Sequence, residues 1–184
     1  MSVVPVRMFG DPVLSTAAEP VTTFDAQLRR LVRDLFDTLE SERGSGLAAN
    51  QIGVGVRAFV FHVDGVRGHL VNPVLDLPND DDEEQDGPEG CLSMPGLYFD
   101  TVRRQHVVAK GYSDRGDPVQ VVGTGELARC LQHETDHLDG VLFIDRMSPQ
   151  RRRNAMRAIR EAPWFGGAAP RVQVSPHPLF GRIR

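Results

Sequence analysis

The 184-residue sequence has little cysteine, tryptophan or lysine: two Cys (Cys91 and Cys130), one Trp and one Lys, Lys110. Two thiols are too few for a disulfide scaffold, and in a reducing compartment a cysteine is more often a free thiol, a ligand or a nucleophile. No run of about 18 apolar residues occurs, which excludes a helix spanning a bilayer. Residues 1–10 lack the charged start and apolar stretch of a secretory leader, and they are not rich in Arg and Ser like a transit peptide. The expectation is a cytoplasmic protein with no membrane partner. The glycine-rich stretch 44–55 is not followed by Gly-Lys-Ser/Thr, so it is no phosphate loop. No internal repeat is present.

Charge is unevenly spread. From Ser148 onward there are eight arginines against one acid, Glu161, so this segment carries +7 in a chain of formal charge -4. Such asymmetry points to a basic docking surface or to a solvated helix face. The opposite extreme is the acidic stretch 79–86, expected to be a solvated loop.

Residues 24–42 predict a helix. Phe24, Leu28, Leu31, Val32, Leu35, Phe36 and Leu39 recur at helical spacing, Thr22 or Thr23 is placed to cap the start, and Gly44 follows the end. Residues 44–55 carry too much glycine for a regular element. Residues 57–63 and 66–72 predict strands around the hairpin signal Asp64-Gly65, and 104–112 with 118–122 predict a second pair. Residues 126–138 predict a helix, with Thr124 as cap and Gly140 at its end. Ser148-Pro149 opens a last helix that runs to about residue 161. The order predicts an α+β domain over residues 1–162, in which antiparallel strands pack around the 126–138 helix, with an N-terminal and a C-terminal helix and an extended tail over 163–184.

The chemistry lies in His133-Glu134-Thr135-Asp136-His137. Histidines at i and i+4 share one helix face, so both imidazoles can reach one ion. Glu134 lies about 100° around the axis, near that ion without ligating it, where a base for a cation-activated water belongs. Asp136 and Asp139 read either as exposed helix carboxylates or as partners that orient a histidine. A catalytic site takes a third protein ligand and keeps one position open. Cys91, in Glu89-Gly90-Cys91-Leu92-Ser93, is the best candidate, against the alternative of a small buried hydrophobe. Cys130 faces the same choice and fits better as core filling.

Three segments together resemble peptide deformylase. Gly44-Ser45-Gly46-Leu47-Ala48-Ala49-Asn50-Gln51 matches that family's GxGLAAxQ, Glu89 to Ser93 matches EGCLS, and Gln132 to Gly140 matches QHExDHLxG; Gly10-Asp11-Pro12-Val13-Leu14 resembles its start. The resemblance implies a hydrolase that removes the formyl group from the N-terminal formyl-methionine of new proteins. It implies one divalent ion on Cys91, His133 and His137: native ferrous iron, with zinc, nickel or cobalt as substitutes. It gives Glu134 the proton transfers, and it makes the Gln51 amide and the Leu92 backbone N–H the donors to the formyl oxygen. Backbone of Ser45, Gly46 and Glu89 is implied to hold the formylated nascent peptide N-terminus as an added strand. Cys130, His133 and the stem of Arg129 are implied to line the methionine pocket. An Arg that some members carry after Cys-Leu-Ser is missing from Met94 to Asp100, and Arg103 and Arg104 come later. In the family, the C-terminal region can contact the ribosome, and the +7 segment suits RNA phosphates.

Two other readings compete. A zinc endopeptidase of the HExxH type leaves Cys91 and Gln51 without roles. A closed structural metal site needs a fourth protein ligand, for which Cys130 is the obvious candidate.

Overall fold

The computed structural model describes residues 2–77 and 83–166. Its elements in chain order are α1 (Ala26–Glu42), β1 (Gly46–Ala48), β2 (Ala58–Val63), β3 (Val66–Asp76), β4 (Glu84–Gly90), β5 (Tyr98–Arg104), β6 (His106–Tyr112), β7 (Pro118–Thr124), α2 (Gly125–Leu138) and α3 (Pro149–Glu161). The strands form an antiparallel five-stranded sheet in the order β1-β2-β3-β6-β7 and a separate β4-β5 pair. This is the expected α+β architecture.

β2 explains how the layers stack. Its side chains alternate between two faces, as a strand requires. Ala58 and Val60 join the cluster under α1 with Leu28, Leu31 and Leu35, whereas Phe59, Phe61 and Val63 join the cluster under α2 with Ala128 and Leu131. Both faces are therefore covered and apolar from Ala58 to Phe61, and His62 near the strand's end is exposed. α2 is central: residues 128–138 are all buried, and α2 also packs against β5. A third cluster joins Met94, Phe143 and Ile144 to Ala155 and Ile159 of α3.

Several local expectations are corrected. α1 is capped by Asp25, not by a threonine; its carboxylate accepts from the N–H groups of Gln27 and Leu28 at 2.9 and 3.1 Å, which suits both hydrogen bonding and the helix dipole. Thr124 sits at the N-cap of α2, but its side chain makes no capping bond. The 44–55 stretch is not irregular throughout, since it contains β1 and a 3-10 turn at Ala49–Ile52. β3 runs past its expected end at residue 72 to Asp76, with Asn72 in a left-handed conformation (φ 51°) at a bulge; its side-chain amide pairs with both backbone groups of Val21 at 2.8 Å. Between β2 and β3, Asp64 and Gly65 have φ of 49° and 80°, the left-handed pair that a two-residue hairpin needs. Of the acidic stretch, residues 79–82 lie outside the described residues, while Glu84, Gln85 and Asp86 are strand, not loop. The expected tail is described only as far as residue 166, and its residues 167–184 lie outside the description. No helix among the described residues is long and apolar enough to cross a membrane.

Candidate metal centre and active site

α2 carries His133 and His137 on one face, and the turn after β4 brings Cys91 to them. One ligand atom from each residue falls within 4.8 Å of the others, with Cys91 Sγ 3.2 Å from His137 Nε2. Tetrahedral bonds of about 2.3 Å to sulfur and about 2.0 Å to nitrogen would set those atoms ~3.5 Å apart, so the three donors fit a single ion. Cys130 is buried and free but is not in this group. Among the described residues no fourth protein ligand joins them, which disfavours a closed structural site.

The orientation of His133 is set by Glu89. Its Oε1 stands 2.7 Å from His133 Nδ1; a carboxylate only accepts, so Nδ1 carries the proton and Nε2 is the nitrogen able to accept a cation. Arg103 grips both oxygens of Glu89, at 2.6 and 2.9 Å, and Arg129 adds a third cationic contact at 3.0 Å. Burial would raise the Glu89 pKa, but its hydrogen bonds to Arg103 and His133 outweigh this and hold it well below the usual range. Sequence reasoning gave only the backbone of Glu89 a role. Its neighbour Asp136 is likewise no exposed carboxylate: it is buried between Arg103 and Arg146. Arg103 is thereby committed to the interior and cannot reach a peptide in the cleft. Asp139 is half-exposed and pairs with Arg57.

Glu134 is buried, and its Oε2 has no hydrogen-bond partner among the described residues. Burial pushes its pKa up to about 7, and the Glu89 charge adds to this. Burial holds the His137 imidazole well below its usual value, so it is neutral, as a ligand must be. The carboxylate of Glu134 lies against Gly46, where an added Cβ would collide with it and would stand 2.7 Å from Cys130 Sγ. This is a second reason for glycine in that segment beyond turn formation.

Gln51 follows from the 3-10 turn. Its Oε1 accepts the Ala48 N–H at 2.8 Å, which turns its NH2 toward Cys91 Sγ (3.5 Å) and Ser93 Oγ (3.3 Å). β1 is an edge strand. The Ser45 carbonyl is already taken by His62 N–H at 2.8 Å, so by the alternation of antiparallel pairing the N–H and C=O of Gly46 face the open edge. A cleft of about 530 Å³ runs between this edge and β4, and Ser45, Gly46, Leu92, Arg129, Cys130 and His133 all line it. Arg129 contributes its stem, because its guanidinium is tied to Glu89 and to the Thr101 carbonyl. Glu126 is exposed at the rim.

A thiol and two imidazoles able to hold one ion, beside a buried carboxylate in a cleft along the edge strand β1, suit a metal-dependent hydrolase. Residues 3–153 match the model of the polypeptide deformylase family. The chain is 59% identical to a peptide deformylase of Acidothermus cellulolyticus, over 99% of each protein, and 57% identical to one of Parafrankia sp., over 100% of each. A crystal structure of a peptide deformylase from Legionella pneumophila superposes with a TM-score of 0.78 at 40% identity, covering 86% of this chain and 94% of that one. The chain belongs to the polypeptide deformylase family, metal-dependent hydrolases that remove the N-terminal formyl group from newly made proteins. The endopeptidase reading is set aside by this membership.

Proposed function

We propose that Cys91, His133 and His137 hold the catalytic ion, that Glu134 moves the proton, and that Gln51 and Leu92 receive the developing charge. The convergence of three donor atoms within 4.8 Å beside Glu134 carries this reading. A divalent cation bound there supplies Lewis acidity, making water a better acid and drawing negative charge onto an amide oxygen.

Glu134 accepts the proton of the water that adds to the formyl carbon. Its desolvated carboxylate suits this task, because a pKa near 7 lets one group both take and return a proton. As the carbonyl becomes tetrahedral, its oxygen gains charge; the NH2 of Gln51 and the backbone N–H of Leu92 are assigned to it. The C–N bond then breaks, Glu134 gives its proton to the departing amine, and formate and a free N-terminus result. The Gly46 edge and the backbone of Glu89 hold the peptide extended; Ser45 lines the cleft, but its carbonyl is spent on His62 and it contributes no pairing group. Arg129, Cys130 and His133 bound the methionine side chain. Flexible, polarizable methionine fits such an apolar slot.

Ferrous iron is assigned as the native ion on family resemblance; the donor set alone would equally suit zinc, nickel or cobalt. The substrate places the enzyme in the cytoplasm. Residues 1–162 are assigned as the catalytic unit; of the tail expected over 163–184, residues 163–166 are turn rather than extended and pack on that unit. Exposed Arg153, Arg157 and Arg160 on α3 are assigned to ribosomal RNA phosphates. Truncation is a poor test of that contact, since Ala155 and Ile159 of the same helix are core; charge reversal of the three arginines should weaken ribosome co-sedimentation.

The test of the reaction is formate release from formyl-Met-Ala-Ser by anaerobically purified protein, with metal analysis of the same sample. Glu134→Gln should keep the metal and lose at least about 100-fold in kcat. Full turnover by that variant would overturn the assignment.

A further inference from the structure

The polypeptide does not leave the molecule at the end of α3. It turns back, and Trp164 joins the apolar cluster that contains Cys91, Met94 and Leu97. Its ring N–H donates to the Pro95 carbonyl at 3.0 Å. Phe165 packs beside it and meets Phe9, with ring centroids 6.3 and 6.4 Å apart. Trp164 is the one tryptophan in the sequence.

Pro95, Gly96 and Leu97 line the substrate cleft. The loop that contains them is anchored unequally. Its beginning is fixed by Met94 N–H on the Cys91 carbonyl (2.9 Å), by Phe9 N–H on the Ser93 carbonyl (2.9 Å) and by Gln51 on Ser93 Oγ (3.3 Å). Beyond Met94 the ties thin out. Pro95 has no N–H to give, Gly96 has φ of 78°, and Leu97 N–H reaches the Met94 carbonyl at a long 3.3 Å. The indole bond falls at this weak point.

We infer that Trp164 is a positioning residue for the cleft wall formed by Pro95, Gly96 and Leu97, and so sets how tightly the peptide is held without touching the chemistry. This rests on the cleft being the substrate site proposed above. Removing the indole N–H loosens the wall, while Cys91, Leu92 and Ser93 keep their own anchors. Substrate affinity should fall, whereas bound metal and the chemical step should not.

Two full-length, metal-loaded proteins test this. One is Trp164→Phe. The other replaces the single tryptophan by benzothienylalanine, which keeps the ring size and exchanges the N–H for sulfur, so that folding is not at issue. Binding of the product peptide Met-Ala-Ser is measured by calorimetry, which needs no turnover, alongside KM, kcat and metal content. The expected result is a Kd and KM raised roughly three- to tenfold, the range one neutral hydrogen bond accounts for, with kcat and metal content within about twofold. An unchanged product Kd in the benzothienylalanine protein overturns the inference, as does a fall in kcat or bound metal. A failure of the reaction itself would appear separately, as absent formate release by the unsubstituted protein.

Discussion

Glu89 Oε1 and His133 Nδ1 stand 2.7 Å apart although 44 residues separate them in the chain. That contact ties the orientation of an assigned metal ligand to a carboxylate which two buried arginines hold in turn. Glu89 thus supports the proposed ion site through its side chain, and it also lines the cleft.

Glu89→Gln should therefore weaken the site and the fold together. Losing the partner of a ligating histidine lowers metal affinity about 10–100-fold, measurable by chelator competition. Removing one member of a buried charge group, which leaves Arg103 with Asp136 alone and Arg129 with the exposed Glu126 and the Thr101 carbonyl, should destabilise by up to about 3 kcal/mol, measurable by urea denaturation of the metal-free protein.

Gly46→Ala places a methyl group against the Glu134 carboxylate and the Cys130 sulfur. Overpacking of this kind costs about 1–3 kcal/mol. Because the displaced group is the assigned proton carrier, kcat should fall more than stability suggests, by at least about tenfold. Full kcat in this variant would mean that Glu134 has room to move.

A pH effect is expected far from the ion. His69 Nε2 accepts the Asp114 backbone N–H at 3.0 Å, so it must be unprotonated there. Burial lowers its pKa, and the Asp114 charge only partly opposes this. The folded value thus lies below the ordinary 6.5, and the unfolded chain binds the proton more readily. The contribution to stability is fully present above about 6.5 and is lost as pH falls through the folded value. Urea midpoints should decline over that interval, and His69→Gln should flatten the decline. An unaltered pH slope in the variant would contradict this account of His69.

α1, α2, α3 and the β2-β3 hairpin were legible in the sequence because their apolar periods, caps and turn residues act locally. The thiol and two imidazoles were legible through residue type and motif. β4 and β5 were not, because their polar residues do not face water in the ordinary way. Glu89, Thr101 and Arg103 are buried, and they pair with one another's neighbours on α2. A strand whose inward positions are ionic has no apolar alternation to read. Asp136 was misleading for the same reason, since its two arginines come from β5 and from beyond α2. The return of Trp164 to Pro95 is a contact across 69 residues, with no local pattern to announce it.

The central claim is that one sulfur and two imidazole nitrogens share an ion. X-ray absorption at the metal edge of the loaded protein in frozen solution tests it most directly. The account predicts one sulfur at about 2.3 Å and two imidazole nitrogens at about 2.0–2.1 Å, with the sulfur lost in Cys91→Ser. A shell without sulfur in the unsubstituted protein, at one ion per chain, would contradict it.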